Sequence, residues 1–215
     1  MRQALIVHGG WDGHEPKKAA EIVRDALAAR GFAVELSDTL DALKDGEKLR
    51  RIHLVVPVWT MGSIRGDQLN PLLEAVRGGT GIGGWHGGMG DAFRQETEYQ
   101  YMVGGQWVSH PDGGGVTYDV HIVDTVHEIT RGMKDFRVTS EQYYMHVDPA
   151  VTVLATTFFP ASRNHGADCT MPVTWVKRYG KGRVFYTSLG HDARVVAQPE
   201  VLEMIVRGLV WAARE

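Results

Sequence analysis

Cysteine occurs once in the 215 residues, at Cys169, so no internal disulfide can form and the chain suits a reducing compartment. His-x-x-x-His and Cys-x-x-Cys spacings are absent, so any metal site has to be assembled by the fold from distant residues. Charge of one sign is lacking as well. Against 23 Lys and Arg stand 26 Asp and Glu, a net charge of −3 with His neutral. The basic residues are dispersed, which argues against a nucleic-acid partner. No apolar run approaches the ~20 residues of a membrane span, and Ala4-Leu5-Ile6-Val7 is too short for a signal peptide. These absences predict a soluble, cytoplasmic protein without a membrane partner. There is no phosphate loop, and the glycines at 81–84 lack the acidic residue that completes a dinucleotide fingerprint. No nucleotide cofactor is expected.

A hydrophobic content of 43% supplies a full core, most simply for one domain over residues 1–215. Ala4 to Val7 reads as a strand buried on both faces. Pro16 opens a helix to Arg30 with Ala19, Ile22, Val23, Ala26 and Leu27 along one side and Gly31 as its stop. Phe32 to Leu36 is a second strand, and residues 38–51 form a polar linker with one helical turn. A third strand is expected over 52–59, a helix over 66–77, a fourth strand over 80–85 and a helix over 91–100. The second half changes character. Strands are expected at 116–123, 136–140 and 151–158, then a hairpin of 171–178 and 183–189 about Tyr179-Gly180-Lys181-Gly182, and a closing helix at 199–213. The class is α/β: a doubly wound, mostly parallel sheet with helices on both faces and a β-rich insertion in the second half.

Residues 78–90 carry 8 of the 26 glycines around a single imidazole, His86. A strand followed by such a turn delivers a side chain beyond the carboxyl edge of an open sheet; the lesser alternative is that the glycines only relieve crowding and His86 is a turn residue. The turn has the position of a nucleophile elbow, yet His stands where Ser or Cys would be, so covalent acyl chemistry is not expected. Other polar groups fall at the ends of predicted strands. His8, His14 and Glu15 follow the first, Trp59 and Thr60 the third, and His191-Asp192 the last, while Glu141 and His146 follow Ser140. In a parallel sheet these ends share one crevice, where imidazoles and a carboxylate act as acid and base or bind a divalent metal. For His14 and Glu15 a solvated helix start is an equal reading. His53, His110, His121, His127 and His165 read as surface or core histidines.

Several stretches together resemble the ThuA-like (trehalose utilisation) proteins. They are Gly13-His14-Glu15, Gly84-Trp85-His86-Gly87-Gly88, 127–133, Glu141-Gln142-Tyr143-Tyr144, and 171–186 leading to Gly190-His191-Asp192. The resemblance implies a flavodoxin-like domain with the class I glutamine amidotransferase fold and a setting in disaccharide or oxidised-sugar catabolism. Glutaminase chemistry is not implied, because His86 occupies the place of the amidotransferase Cys.

The expected site comprises His86, Glu141 and His191 as catalytic groups, joined by His14 if a divalent metal, Zn or Mn, is bound. Trp85, Tyr143, Tyr144, Trp59 and Asp192 are expected to face a small-molecule carbohydrate. The first functional expectation is a sugar-processing enzyme that transfers a proton next to a carbonyl. A non-catalytic carbohydrate-binding or regulatory protein on the same scaffold is the alternative, and hydrolysis by a metal-activated water a third. The apolar closing helix, with Trp107 and Trp211, allows a homodimer.

Overall fold

Alternation along β1 (Arg2–Gly10) sends Ala4 and Ile6 to one side of the sheet and Leu5 and Val7 to the other, and all four are buried. A strand with this pattern has to be covered on both faces. In the computed structural model, which describes residues 1–163 and 166–215, helices supply that cover. His165 lies outside the described residues.

The chain continues through α1 (Pro16–Ala28), β2 (Phe32–Ser37), α2 (Gly46–Arg51), β3 (Leu54–Thr60), α3 (Gly66–Gly78), β4 (Gly81–Trp85), α4 (His86–Gly90), α5 (Thr97–Val103) and β5 (Gly105–Ser109). It goes on through β6 (Val116–Ile122), β7 (Phe136–Ser140), β8 (Tyr144–Val147), β9 (Thr152–Phe159), β10 (Cys169–Tyr179), β11 (Gly182–Thr187), α6 (Ala193–Val196) and α7 (Pro199–Ala212). The large sheet has the order β2-β1-β3-β4-β11-β10-β9-β6-β7, and β5 pairs with β8 separately. From β2 to β11 all pairings are parallel, while β10, β9, β6 and β7 pair antiparallel. Helices α1 and α7 bury Val23, Leu27, Ile205 and Leu209 on one face, and α2, α3 and α5 bury Leu49, Leu72 and Met102 on the other. This is the flavodoxin-like strand order, with its direction reversing between β1 and β3.

Four local departures from the sequence reading have physical causes. Strand β1 does not stop at His8 but runs on to Gly10, because its backbone stays in register with β3 as far as the Gly10 and Thr60 pair. The linker at 38–51 holds a full helix, α2, capped by the Asp45 carboxylate accepting from the Lys48 amide and anchored by buried Leu49. The helix expected over 91–100 starts only at Thr97. Residues 91–93 are instead tied to Met61, whose amide donates to the Asp91 carbonyl (2.9 Å) and whose carbonyl accepts from the Phe93 amide (3.2 Å). Strands β5 and β8 were not anticipated, since neither alternates long enough to show a period of two.

The antiparallel half curls. Strand β7 is the far edge of the sheet, yet Glu141, the next residue, lies 3.1 Å from His86 at the end of β4. Register shifts in β10 between Pro172 and Trp175 supply the bend, as bulges do elsewhere. No described helix is long and apolar enough to cross a membrane.

Candidate functional site

The reversal of strand order opens a crevice beyond the carboxyl ends of β1 and β3, and the imidazoles gather there. His14 sits in a short 3-10 turn after β1, His86 opens α4 directly after β4, His191 follows β11 and Glu141 follows β7. One ligating atom from each lies within 4.8 Å of the others. Glu141 Oε2 is 3.1 Å from His86 Nε2, 3.2 Å from His191 Nδ1 and 3.8 Å from His14 Nε2. His191 Nδ1 is 3.4 Å from His86 Nε2.

Two of the three rings are aimed by a partner behind them. His86 Nδ1 is 2.8 Å from the Ser188 carbonyl, which can only accept, so Nδ1 carries the proton and Nε2 faces the cluster. Tyr143 stacks on the same ring at 3.9 Å between centroids. His14 Nδ1 meets the Thr60 hydroxyl at 2.8 Å, which turns its Nε2 inward. The Tyr118 hydroxyl donates to the Glu141 carbonyl at 3.1 Å.

Burial pushes the His86 ring down to about 4, more than the opposing contact with Glu141 raises it, so at neutral pH it is uncharged. Its Nε2 lone pair therefore points at a carboxylate oxygen. Burial alone would raise the Glu141 carboxyl, but His14, His191 and His86 outweigh it and hold the group well below the usual carboxylate range. The contact with Glu141 raises His191. Two buried lone pairs facing each other at 3.1 Å repel unless a cation or the His191 Nδ1–H, 3.2 and 3.4 Å from the two atoms, stands between them. Three imidazole nitrogens and one carboxylate oxygen form a donor set that suits Zn or Mn.

The local backbone is built for this closeness. His86 has φ of 48°, and Glu15, Met61 and Phe93, all flanking the crevice, have φ of 47°, 57° and 49°. Such strain in residues other than glycine persists where the surrounding packing over-determines it. Glycines then let the turn sink into the sheet. A Cβ on Gly87 would lie 2.7 Å from the His14 ring, and one on Gly90 would lie 2.2 Å from the Tyr186 hydroxyl, which donates to the His86 carbonyl. Gly90→Ala is therefore expected to destabilise the fold by about 1–3 kcal/mol. The check is the urea midpoint; an unchanged value would show that the turn has room to spare.

The crevice in front of the cluster has a volume of about 160 Å³. Of the residues anticipated for it, Tyr143, His14, Thr60 and Glu141 line it, and His86 and His191 belong to the cluster itself. The others lie elsewhere. Trp85 is 2% exposed and packs in the core. Trp59 lies over Gly9, where a Cβ would be 2.5 Å from its ring. Tyr144 packs edge-on against Phe159. Asp192 caps α6, accepting from the Val195 amide. Glu15 accepts from the Ala193 amide and pairs with Lys18, tying α1 to α6. His8 is buried in β1 and His146 is exposed on β8; neither joins the cluster. Trp107 and Trp211 are half-buried, Trp211 beside His127 and Arg183.

Sequence reasoning missed six cleft residues: Trp11, Met61, Asp91, Arg94, Trp107 and His110. His110 Nε2 is 3.7 Å from Glu141 Oε1, and its Nδ1 is buried with no partner among the described residues. Asp91 and Arg94 form a two-point ion pair at 2.6 and 2.9 Å, and Arg94 lies over the Trp107 ring at 4.7 Å. The i, i+3 spacing of Asp91 and Arg94 right after the glycine-rich turn was the available signal. Nothing in the spacing marks His110.

Among solved structures the chain is similar to a ThuA-like protein from Parabacteroides merdae ATCC 43184, at 20% identity and a TM-score of 0.80, covering 98% of this chain and 89% of that one. A ThuA-like protein from Bacteroides uniformis ATCC 8492 gives 16% and 0.79 over 98% and 91%. A beta-galactosidase from Bacillus circulans sp. alkalophilus gives 13% and 0.63, with 98% of this chain matching 30% of that one. At these identities the likeness is one of fold. No curated protein sequence matches the chain. The family model described as trehalose utilisation, ThuA, matches residues 3–212. With that match spanning nearly its whole length, the chain belongs to the ThuA family.

Proposed function

We propose that this protein is a sugar-processing enzyme that moves a proton next to a carbonyl in a disaccharide or keto-sugar, with a divalent ion held by His14, His86, Glu141 and His191. One observation carries the reading: an uncharged, buried imidazole whose Nε2 lone pair faces an ionised carboxylate, with two more imidazoles turned toward the same point. When bound, a Zn or Mn ion supplies Lewis acidity at a sugar carbonyl oxygen.

The remaining chemistry belongs to the chain. His86 is 1% exposed with its Nδ1 proton engaged by Ser188, so it serves as a fixed donor atom and not as a base. Glu141 supplies the anionic ligand. His110 lines the cleft beside Glu141 and moves the proton at Nε2. Tyr143 forms the floor and keeps water away from the His86 ring.

His110→Asn is expected to keep metal stoichiometry while slowing deuterium uptake from solvent into 3-keto-trehalose by about 10²- to 10⁴-fold. Mass spectrometry of the recovered sugar, with metal analysis of the same samples, is the measurement. Wild-type protein that loads metal but incorporates no deuterium and yields no isomeric or cleaved product would remove the proton-transfer reading.

A further inference from the structure

We propose that the cleft admits one ring of a neutral saccharide, that the Asp91–Arg94 pair grips adjacent hydroxyls of that ring, and that Trp11 carries the next ring outside. The class of ligand rests on the functional reading above; the groups that select it are new.

Asp91 is buried, and both its oxygens bond Arg94, through Nε at 2.6 Å and one terminal nitrogen at 2.9 Å. The guanidinium has five N–H donors in one plane, so Asp91 leaves most of them to face the cleft. A planar donor and acceptor pair of this kind matches two neighbouring hydroxyls, which donate to the carboxylate and accept from the guanidinium. The Trp107 ring under Arg94 keeps the plane in place. The pair is neutral as a unit. A phosphate or carboxylate on the ligand would have to compete with Asp91 for the guanidinium while sitting beside its charge, which selects against anionic sugars.

Trp11 lines the mouth of the same cleft and is 47% exposed, yet it is held. Its indole lies on Gly13, where a Cβ would be 2.4 Å from the ring, and its edge meets His14 at 4.7 Å between centroids. Its amide donates to the Thr60 carbonyl at 3.3 Å. An exposed aromatic fixed in this way is a ready stacking surface with little ordering entropy left to lose. The volume of about 160 Å³ is below the ~300 Å³ at which pockets take drug-sized ligands, so a second ring has to lie outside, on Trp11.

Titration calorimetry with glucose, trehalose and glucose 6-phosphate tests the assignment on folded variants checked by circular dichroism. Wild type is expected to bind trehalose about tenfold more tightly than glucose, and glucose 6-phosphate no better than glucose. Trp11→Ala is expected to erase the trehalose advantage and leave glucose unchanged. Gly13→Ala, which displaces the indole without removing it, is expected to do the same. Arg94→Lys is expected to weaken both sugars ten- to hundredfold. Equal loss of both sugars in Trp11→Ala, tighter binding of the phosphate, or no saccharide binding at all would overturn the proposal. If these affinities fail while wild type still exchanges deuterium through His110, the clamp is wrong and the proton-transfer reading stands. The reverse result leaves the clamp without the chemistry.

Discussion

Glu141→Gln is expected to lower affinity for Zn or Mn at least about a hundredfold, with turnover falling in step. Loss of groups that merely orient ligands costs about 10–100-fold in metal affinity, and Glu141 is the only anion in the cluster. Glutamine keeps the shape and can donate its amide to His86 Nε2, so the buried ring is not orphaned and the fold should survive. Competition with a chelator of known affinity measures the loss, and the urea midpoint checks the fold. Wild-type metal affinity in a folded Gln variant would sink the proposed centre.

The second large effect is acid lability of the metal-free protein. Burial holds the native His86 ring down to about 4, against an ordinary value of 6.5. Between those pH values the unfolded chain binds a proton there and the native chain does not, so stability falls as pH drops through the window. The loss is roughly 3 kcal/mol, or roughly 10 °C in Tm for a chain of this size. Neither neighbour offsets it. Glu141 lies below its ordinary value of 4.5, so its contribution is complete above pH 4.5 and is lost only as the medium becomes more acid. His191 is raised, so its contribution is complete below 6.5 and is lost only as pH rises through its native value. His86→Asn is expected to flatten the Tm profile between pH 6.5 and 4. Parallel profiles for the two proteins would mean that the ring is not held uncharged.

Much of this architecture is legible in the residues. Apolar runs at 4–7 and 54–58 mark doubly covered strands, and Pro16 and Pro199 open helices as expected. His86, Glu141 and His191 do meet, although 105 residues separate the outer two. What stays hidden are contacts set by packing alone. Trp85 and Tyr144 look like sugar-facing aromatics beside functional residues, but as the last residue of β4 and the first of β8 they pack among apolar neighbours, while His86 and Tyr143 just outside those strands face the site. Asp192 resembles a ligand beside His191, yet it starts a helix that the sequence barely signals. Trp11 enters the cleft from the turn just after β1 and His110 from the loop after β5, whose partner β8 lies far along the chain, and no periodicity within one segment encodes that pairing.

The curl of the antiparallel half has a consequence for synthesis. A ribosome working from the N-terminus finishes the β1, β3 and β4 core well before it delivers residue 141, and His191 comes later still. The early portion of the nascent protein can collapse with His14 held by Thr60, but His86 lacks the Ser188 carbonyl that orients it and the carboxylate of Glu141 until the later strands have been made. Assembly of the four-residue cluster is thus a late event in the birth of each molecule, and it reports that the last strands have arrived.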